Sequence, residues 1–200
     1  MIVKRTVNGS TVRYIEYLSN YEFGTDIKDA YFVDCGLTYS GSAATSLSGL
    51  NHLEGEKVVV LGDGATHPDR TVSSGAITLS RSVKKAHIGF NYISTLQTMR
   101  IDSGGTEGTS QGKTKRINNI TLRLYRSVGV KVGSSETELD LIPFRSSADD
   151  MSEALGMFTG DKEVEFRGGY DNDGFVFVKQ DQPLPLTVLA IFPRLQTFDQ

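Results

Sequence analysis

Three dipeptides, Asn8-Gly9, Asp63-Gly64 and Ser74-Gly75, each stand between two short runs with β-type residue patterning. A two-residue connection of this kind is favoured by residues that tolerate positive φ, which makes each pair the mark of a tight turn between antiparallel strands. Long runs of apolar residues at helical spacing are missing from the 200 residues, so the chain is expected to be all-β.

The first turn is the clearest. Residues 2–18 read IVKRTV, Asn8-Gly9, STVRYIEYL, two alternating strands of one hairpin. One helical turn is expected over Asp26 to Tyr31, after which YFVDCGLTYSG opens a compact segment of different character. Within it, EGEKVVVLGDGATHPDRTVSSGAITLS reads as three strands joined at Asp63-Gly64 and Ser74-Gly75. Further on, Ile120, Leu122, Leu124 and Val128 alternate with Thr121, Arg123 and Tyr125, which places Arg123 on an outer polar face. The stretch from Glu138 to Asp161 reads as loop with a short helix around Ser152–Met157. The remainder supplies three more strands, of which Leu186–Phe192 is apolar enough to lie centrally in its sheet. No repeat of about 20–50 residues appears, which excludes a whole propeller or solenoid. The expected architecture is a β-sandwich-like domain formed by residues 1–35 with 86–200, into which a small β-barrel or meander module, residues 36–85, is inserted.

An apolar content of 38% and a mean hydropathy of −0.23 suit an ordinary globular chain with a buried core. No window approaches the roughly 18 consecutive apolar residues of a membrane span. The opening MIVKRTVNGST is not expected to serve as a signal peptide, because its apolar run stops at once and a turn follows. Cys35 is the one cysteine, which excludes an internal disulfide and a multi-cysteine zinc site.

Charge is distributed unevenly. Between Arg81 and Lys131 ten Lys/Arg face two acids, Asp102 and Glu107, so this segment carries +8, against −3 for residues 1–80 and −8 for residues 132–200. Such segregation arises from a surface addressed to a polyanion, from positive regions docking on negative ones, or from ordinary solvated faces.

Motifs that suggest chemistry fail on spacing or context. GTSQGKT approaches the phosphate loop GxxxxGK[ST], but Gly108 and Gly112 enclose three residues, Glu107 stands where glycine is needed, and RINNITLRLYRS alternates as a strand instead of opening a helix. Asp171-Asn172-Asp173-Gly174 begins like a calcium loop and lacks the glutamate at its twelfth position, where Gln182 stands; a tight β-connection explains it. His52, His67 and His87 sit in separate segments without ligand spacing and read as surface or half-buried strand residues. Tyr31, Val33 and Cys35 fall on one side of an alternating run, so Cys35 reads as a small buried hydrophobe. The pairs Asp149-Asp150 and Glu163/Glu165 read as solvated charges on a loop and an exposed strand face. No catalytic site, cofactor or metal is therefore expected.

The basic segment remains the candidate, and Lys84, Lys85, Lys113, Lys115, Arg116 and Arg123 are its expected contacts, with a neighbouring subunit or with DNA in a channel. Stacking aromatics are sparse there (Phe90, Tyr92, Tyr125) and the pI is 5.6, both unlike a dedicated nucleic-acid binder. The equally negative C-terminal third makes electrostatic complementarity, between subunits or within the fold, the leading reading.

Several runs resemble a known family: YFVDCGLTYSG, LNHLEGEKVVVLGDGATHPDRTV, GAITLSRSVKKAHIGFNYISTLQTMRID, GTSQGKTKRINNITLRLYRSVGVKVG and FTGDKEVEFRGGYDNDGFVFVKQDQPLPLTVLAIFPRL. Together they resemble the C-terminal part of bacteriophage and prophage tail structural proteins of the short-tailed-phage nozzle, or tail-tubular-protein-B, type. The resemblance covers nearly the whole chain, and it implies a detached C-terminal region or a short relative of those longer proteins. It implies a virion tail component, made in the host cytoplasm, that forms a homo-oligomeric ring, sixfold, with other tail proteins around the path of the ejected genome. Segment 36–85 also resembles the small β half-domain next to the catalytic cysteine of ubiquitin-activating enzymes, which implies architecture and not ubiquitin chemistry. The alternative expectation is a carbohydrate- or receptor-binding module at a tail tip, against which the absence of Trp weighs.

Overall fold

The computed structural model describes every residue except 19, 103, 106–107 and 199–200. The chain is all-β, with antiparallel sheets throughout and only two short 3-10 turns among the described residues. It divides into two compact units: Met1–Tyr92 with Ala148–Gly156 and Asp181–Pro185, and Ile93–Ser147 with Met157–Gln180 and Leu186–Gln200.

The first unit contains β1 (Ile2–Val7), β2 (Ser10–Ile15), a 3-10 turn at Ile27–Asp29, β3 (Asp34–Ser48), a 3-10 turn at Asn51–Leu53, β4 (Lys57–Gly62), β5 (Ala65–Thr71) and β6 (Ala76–Phe90). Its three turns follow the sequence signal. Both central residues have positive φ at Asn8 and Gly9 (46° and 73°), Asp63 and Gly64 (49° and 81°), and Ser74 and Gly75 (53° and 66°), as type I′ geometry requires. The helical turn expected near Asp26 is the first 3-10 turn, where the Asp26 carboxylate accepts the Lys28 N–H at 3.1 Å.

Strands β1 and β2 form a sheet of their own, and the other four pair in the order β3-β6-β4-β5. β6 returns to lie between β3 and β4 instead of continuing the meander beside β5. β5, with Pro68 in its middle, takes an edge, where a residue lacking an N–H is tolerated. Leu47, Leu50, Leu53, Val58, Val60, Val72, Ile77, Leu79, Val83, Ala86 and Ile88 make the core. The boundary expected at 85/86 falls inside β6, whose Ala86 and Ile88 belong to this core, so the strand cannot be split there. Residues 1–35, expected with 86–200, group with this unit. Arg5 on β1 bonds Asp34 at the head of β3, and Tyr14 on β2 donates to the His52 carbonyl at 2.6 Å.

The second unit contains β7 (Ser94–Gln97), β8 (Gly104–Gly105), β9 (Gly108–Thr109), β10 (Thr114–Ser127), β11 (Lys131–Gly133), β12 (Leu139–Leu141), β13 (Phe158–Glu165), β14 (Phe177–Gln180) and β15 (Val188–Phe198). A sheet β13-β10-β15 and a sheet β12-β11-β14-β7 share one core, in which Ile117, Ile120, Leu122 and Leu124 of β10 meet Val132 and Val178 of the other sheet. This is the sandwich-like arrangement the strand pattern implied. The strand expected to be central, Leu186–Phe192, is an edge: β10 takes the centre, and β15 turns only Val188, Ile191 and Leu195 toward the core while leaving Leu189 and Phe192 exposed. Pro193 within β15 again suits an edge. The helix expected at Ser152–Met157 is absent: the Asp150 carboxylate accepts both the Ser152 N–H and its hydroxyl, which favours a local turn over a helix.

Candidate functional site

Alternation along β10 decides the fate of its bases. A β-bulge between Ile117 and Asn119 shifts that alternation by one residue, so Lys115 and Ile117 face inward with Ile120, Leu122 and Leu124, while Arg116, Arg123 and Tyr125 point outward. Lys115 is therefore not the surface contact expected of it: its side chain is 0% exposed and is ion-paired with Asp102. Its backbone also exchanges two hydrogen bonds with Asp171, at 2.7 and 2.8 Å. The outward Arg123 donates through Nε and Nη2 to the two carboxylate oxygens of Asp161 at 2.7 and 2.8 Å, directly opposite on β13. This pair holds the Asp161 carboxyl below, and the guanidinium above, its ordinary pKa, through the hydrogen bonds first. Arg123 also sits 5.3 Å from the Phe192 ring centroid, and Arg116 5.5 Å from that of Tyr170.

The remaining expected contacts lie on β6 and on the turn before β10. The Lys85 ammonium donates to Asp29 at 2.6 Å, and the backbone N–H groups of Lys84 and Lys85 donate to the Asp63 carboxylate at 2.9–3.2 Å. The Lys84 side chain is exposed. Lys113 closes a turn through its N–H to the Ser110 carbonyl at 3.2 Å. Together with Arg100, paired to Asp173, these contacts show where much of the sequence segregation goes: bases of the 81–131 stretch meet acids of the flanking segments inside each unit. The solvent-exposed pairs among them add little to stability, because water screens their attraction and holding two long side chains costs entropy.

A polar cluster in the first unit was not anticipated. Arg5 donates bidentately to Glu16 (2.7 and 2.7 Å) and to Asp34 (2.8 and 2.7 Å), and packs 6.0 Å from the Phe90 ring. The guanidinium holds the Glu16 carboxyl below its usual range. The signal for this cluster lay in the hairpin alternation, because Arg5 shares its inward row with Val3 and Val7 and so had to find acids. Cys35 borders the cluster at a β-irregularity with φ 49°, and burial, then the hydrogen bond to Glu16, pushes its thiol up to about 11. A protonated thiol of this kind is a poor nucleophile. The His52 Nε2–H donates to the Cys35 carbonyl at 3.0 Å, which ties that ring to the backbone.

The other two histidines are buried, more so than expected. His87 bridges the Thr38 hydroxyl (2.8 Å) and the Lys28 carbonyl (3.0 Å), and His67 accepts from Arg81 Nε at 3.0 Å. Burial lowers the pKa of both rings. Among the described residues no group of three or more His, Cys, Asp or Glu is placed to hold a metal ion. In the Asp171–Gly174 turn, Asp171 accepts the Gly174 N–H at 3.2 Å and Asp173 is held by Arg100, so both carboxylates are engaged by the protein itself. The GTSQGKT segment turns at Gly112 (φ 78°) and enters β10, a strand, while Glu107 lies outside the described residues. No helix of the described residues is long and apolar enough to cross a membrane. No protein-family model matches the chain, and no curated protein sequence matches it.

Proposed function

We propose that this chain is a non-enzymatic virion structural protein, a subunit of a phage tail nozzle or tube that assembles with its own copies, in a sixfold ring, and with other tail proteins around the genome-ejection channel. The resemblance of its strand and turn runs supports the family. The observation that carries the assembly reading is the outward face of the β1–β2 hairpin, where Ile2 and Ile15 stand directly opposite each other, 76% and 89% exposed. Opposed apolar side chains left in solvent on a two-stranded sheet are costly unless a partner covers them. Of the bases assigned to docking or to the channel, Lys84, Arg116 and Arg123 keep exposed side chains, and the first two have no carboxylate partner among the described residues. Negative-stain imaging of the purified protein is expected to show rings, and antibodies to it are expected to label the tails of intact particles. Unlabelled particles and a strictly monomeric protein would overturn the reading. Reversal of Lys84, Lys113 and Arg116 to Glu is expected to leave particles intact while impairing genome delivery; undiminished infectivity would remove the channel role.

One observation favours a second reading, a carbohydrate- or receptor-binding surface at a tail tip. The outer face of β13-β10-β15 exposes Tyr125 and Phe192 beside the Arg123–Asp161 pair, aromatic surface next to fixed planar polar groups. A glycan array probed with the protein and with Phe192→Ala separates the two readings: no bound glycan removes the second.

A further inference from the structure

The outward row of β1 and β2 holds a second mismatch beside Ile2 and Ile15. Lys4 and Arg13 stand directly opposite each other in the register, both exposed, and neither has an ion-pair or hydrogen-bond partner among the described residues. Like charges facing across a strand pair destabilise it, so this hairpin presents two uncompensated bases next to two uncovered isoleucines. The complementary pattern lies on β13. Its outward residues Asp161, Glu163 and Glu165 make an acidic row; Asp161 is taken by Arg123, Glu163 accepts only the Asn119 amide at 2.9 Å, and Glu165 has no partner among the described residues. Across the same sheet, Thr121 is paired with Glu163 on one side and with the exposed Phe192 on the other, which sets an apolar ring in the row of the free acids. Both β1 and β13 are edge strands.

The geometry points to a head-to-tail subunit contact in which Lys4 and Arg13 of one copy engage Glu163 and Glu165 of the next, with Ile2 and Ile15 covered at the same seam. This rests on the reading of the chain as a self-assembling subunit and names the surface that does it. A second copy is the fitting occupant because the chain carries both halves of the match on different elements. Two isoleucines flanking the bases would gain nothing from a phosphate backbone. Residues 163 and 165 lie about 7 Å apart along their strand, and opposed side chains such as Lys4 and Arg13 start about 5 Å apart, so two long basic side chains can reach two carboxylates together. The contact joins two different patches, so repetition generates a ring where the rotation closes.

Charge swapping tests this with the whole chain. The variants K4E/R13E and E163K/E165K, checked for folding by circular dichroism, are each expected to weaken assembly in mass photometry by about tenfold or more in concentration. An equimolar mixture of the two is expected to reassemble, because the acidic hairpin of one variant then meets the basic row of the other. Wild-type assembly by both separate variants would overturn the contact while leaving the assembly reading intact; a wild-type chain that stays monomeric would overturn both. Should either variant misfold, the wild type itself decides: its assembly must loosen as salt rises from about 0.05 to 0.5 M, and salt-independent assembly rejects the contact. Loss of binding to duplex DNA in K4E/R13E with assembly unchanged would assign the bases to a polyanion instead.

Discussion

Lys115 and Asp102 form an ion pair in which the ammonium is wholly enclosed while the carboxylate keeps some contact with solvent. The asymmetry sets the outcome of mutation. Asp102→Asn strands an enclosed charge and is expected to cost about 3–5 kcal/mol, whereas Lys115→Met removes the buried charge and leaves a carboxylate that water reaches, so its cost is smaller. The double variant should be more stable than Asp102→Asn alone. Urea midpoints at constant slope measure all three, and a double variant no better than Asp102→Asn would contradict this account.

The same strand shows what could and could not be read in advance. Ile120, Leu122 and Leu124 were legible as a buried row because strand alternation is a local property, and it correctly turned Arg123 outward. Strict alternation from that row would put Lys115 outward with Arg123; the β-bulge between Ile117 and Asn119 turns it inward instead, and Asp102 then compensates its charge. Turns were legible for the same local reason: Asn8, Asp63 and Ser74 all show the positive φ that their glycine neighbours announced. Strand order was not, since nothing local says that β6 returns to β4 or that β15 takes an edge. The polar cluster at Arg5 needed three elements to meet, Arg5 on β1, Glu16 beyond β2 and Asp34 on β3, a coincidence that sequence spacing does not encode.

Stability should fall as the pH drops below about 6.5, the ordinary histidine pKa. His67 and His87 are held neutral by burial, with folded pKa values lowered, so below that pH the unfolded chain binds protons first and folding loses ground until the folded rings titrate too. The stabilisation is fully present above about pH 6.5. Thermal unfolding between pH 8 and 5 would show a falling midpoint, and His87→Gln should flatten part of the slope. A level profile over that range would mean that the rings are hydrated in solution.

The Cys35 thiol, pushed up to about 11, should alkylate slowly at neutral pH. Iodoacetamide modification is expected to keep accelerating about tenfold per pH unit through pH 9, where an ordinary thiol near 8.5 has begun to level off. Glu16→Gln removes the neighbouring carboxylate that raises the thiol pKa and should speed the reaction. A rate that levels off by pH 8.5 would show a thiol open to solvent.

Arg5 joins the hairpin to the sheet through geometry as well as charge. Its planar fork meets two carboxylates at once, four donor contacts of 2.7–2.8 Å from a side chain only 17% exposed. Arg5→Ala leaves Glu16 and Asp34 without their shared counter-charge and is expected to cost about 2–3 kcal/mol. Arg5→Lys restores the charge but offers a single ammonium that cannot bridge both partners bidentately, so it should recover less than half of that loss. A cycle with Glu16→Gln isolates the pair and should return a coupling of about 1–2 kcal/mol. If Arg5→Lys unfolds at the wild-type urea concentration, charge alone holds the hairpin in place, and the fork contributes nothing beyond it.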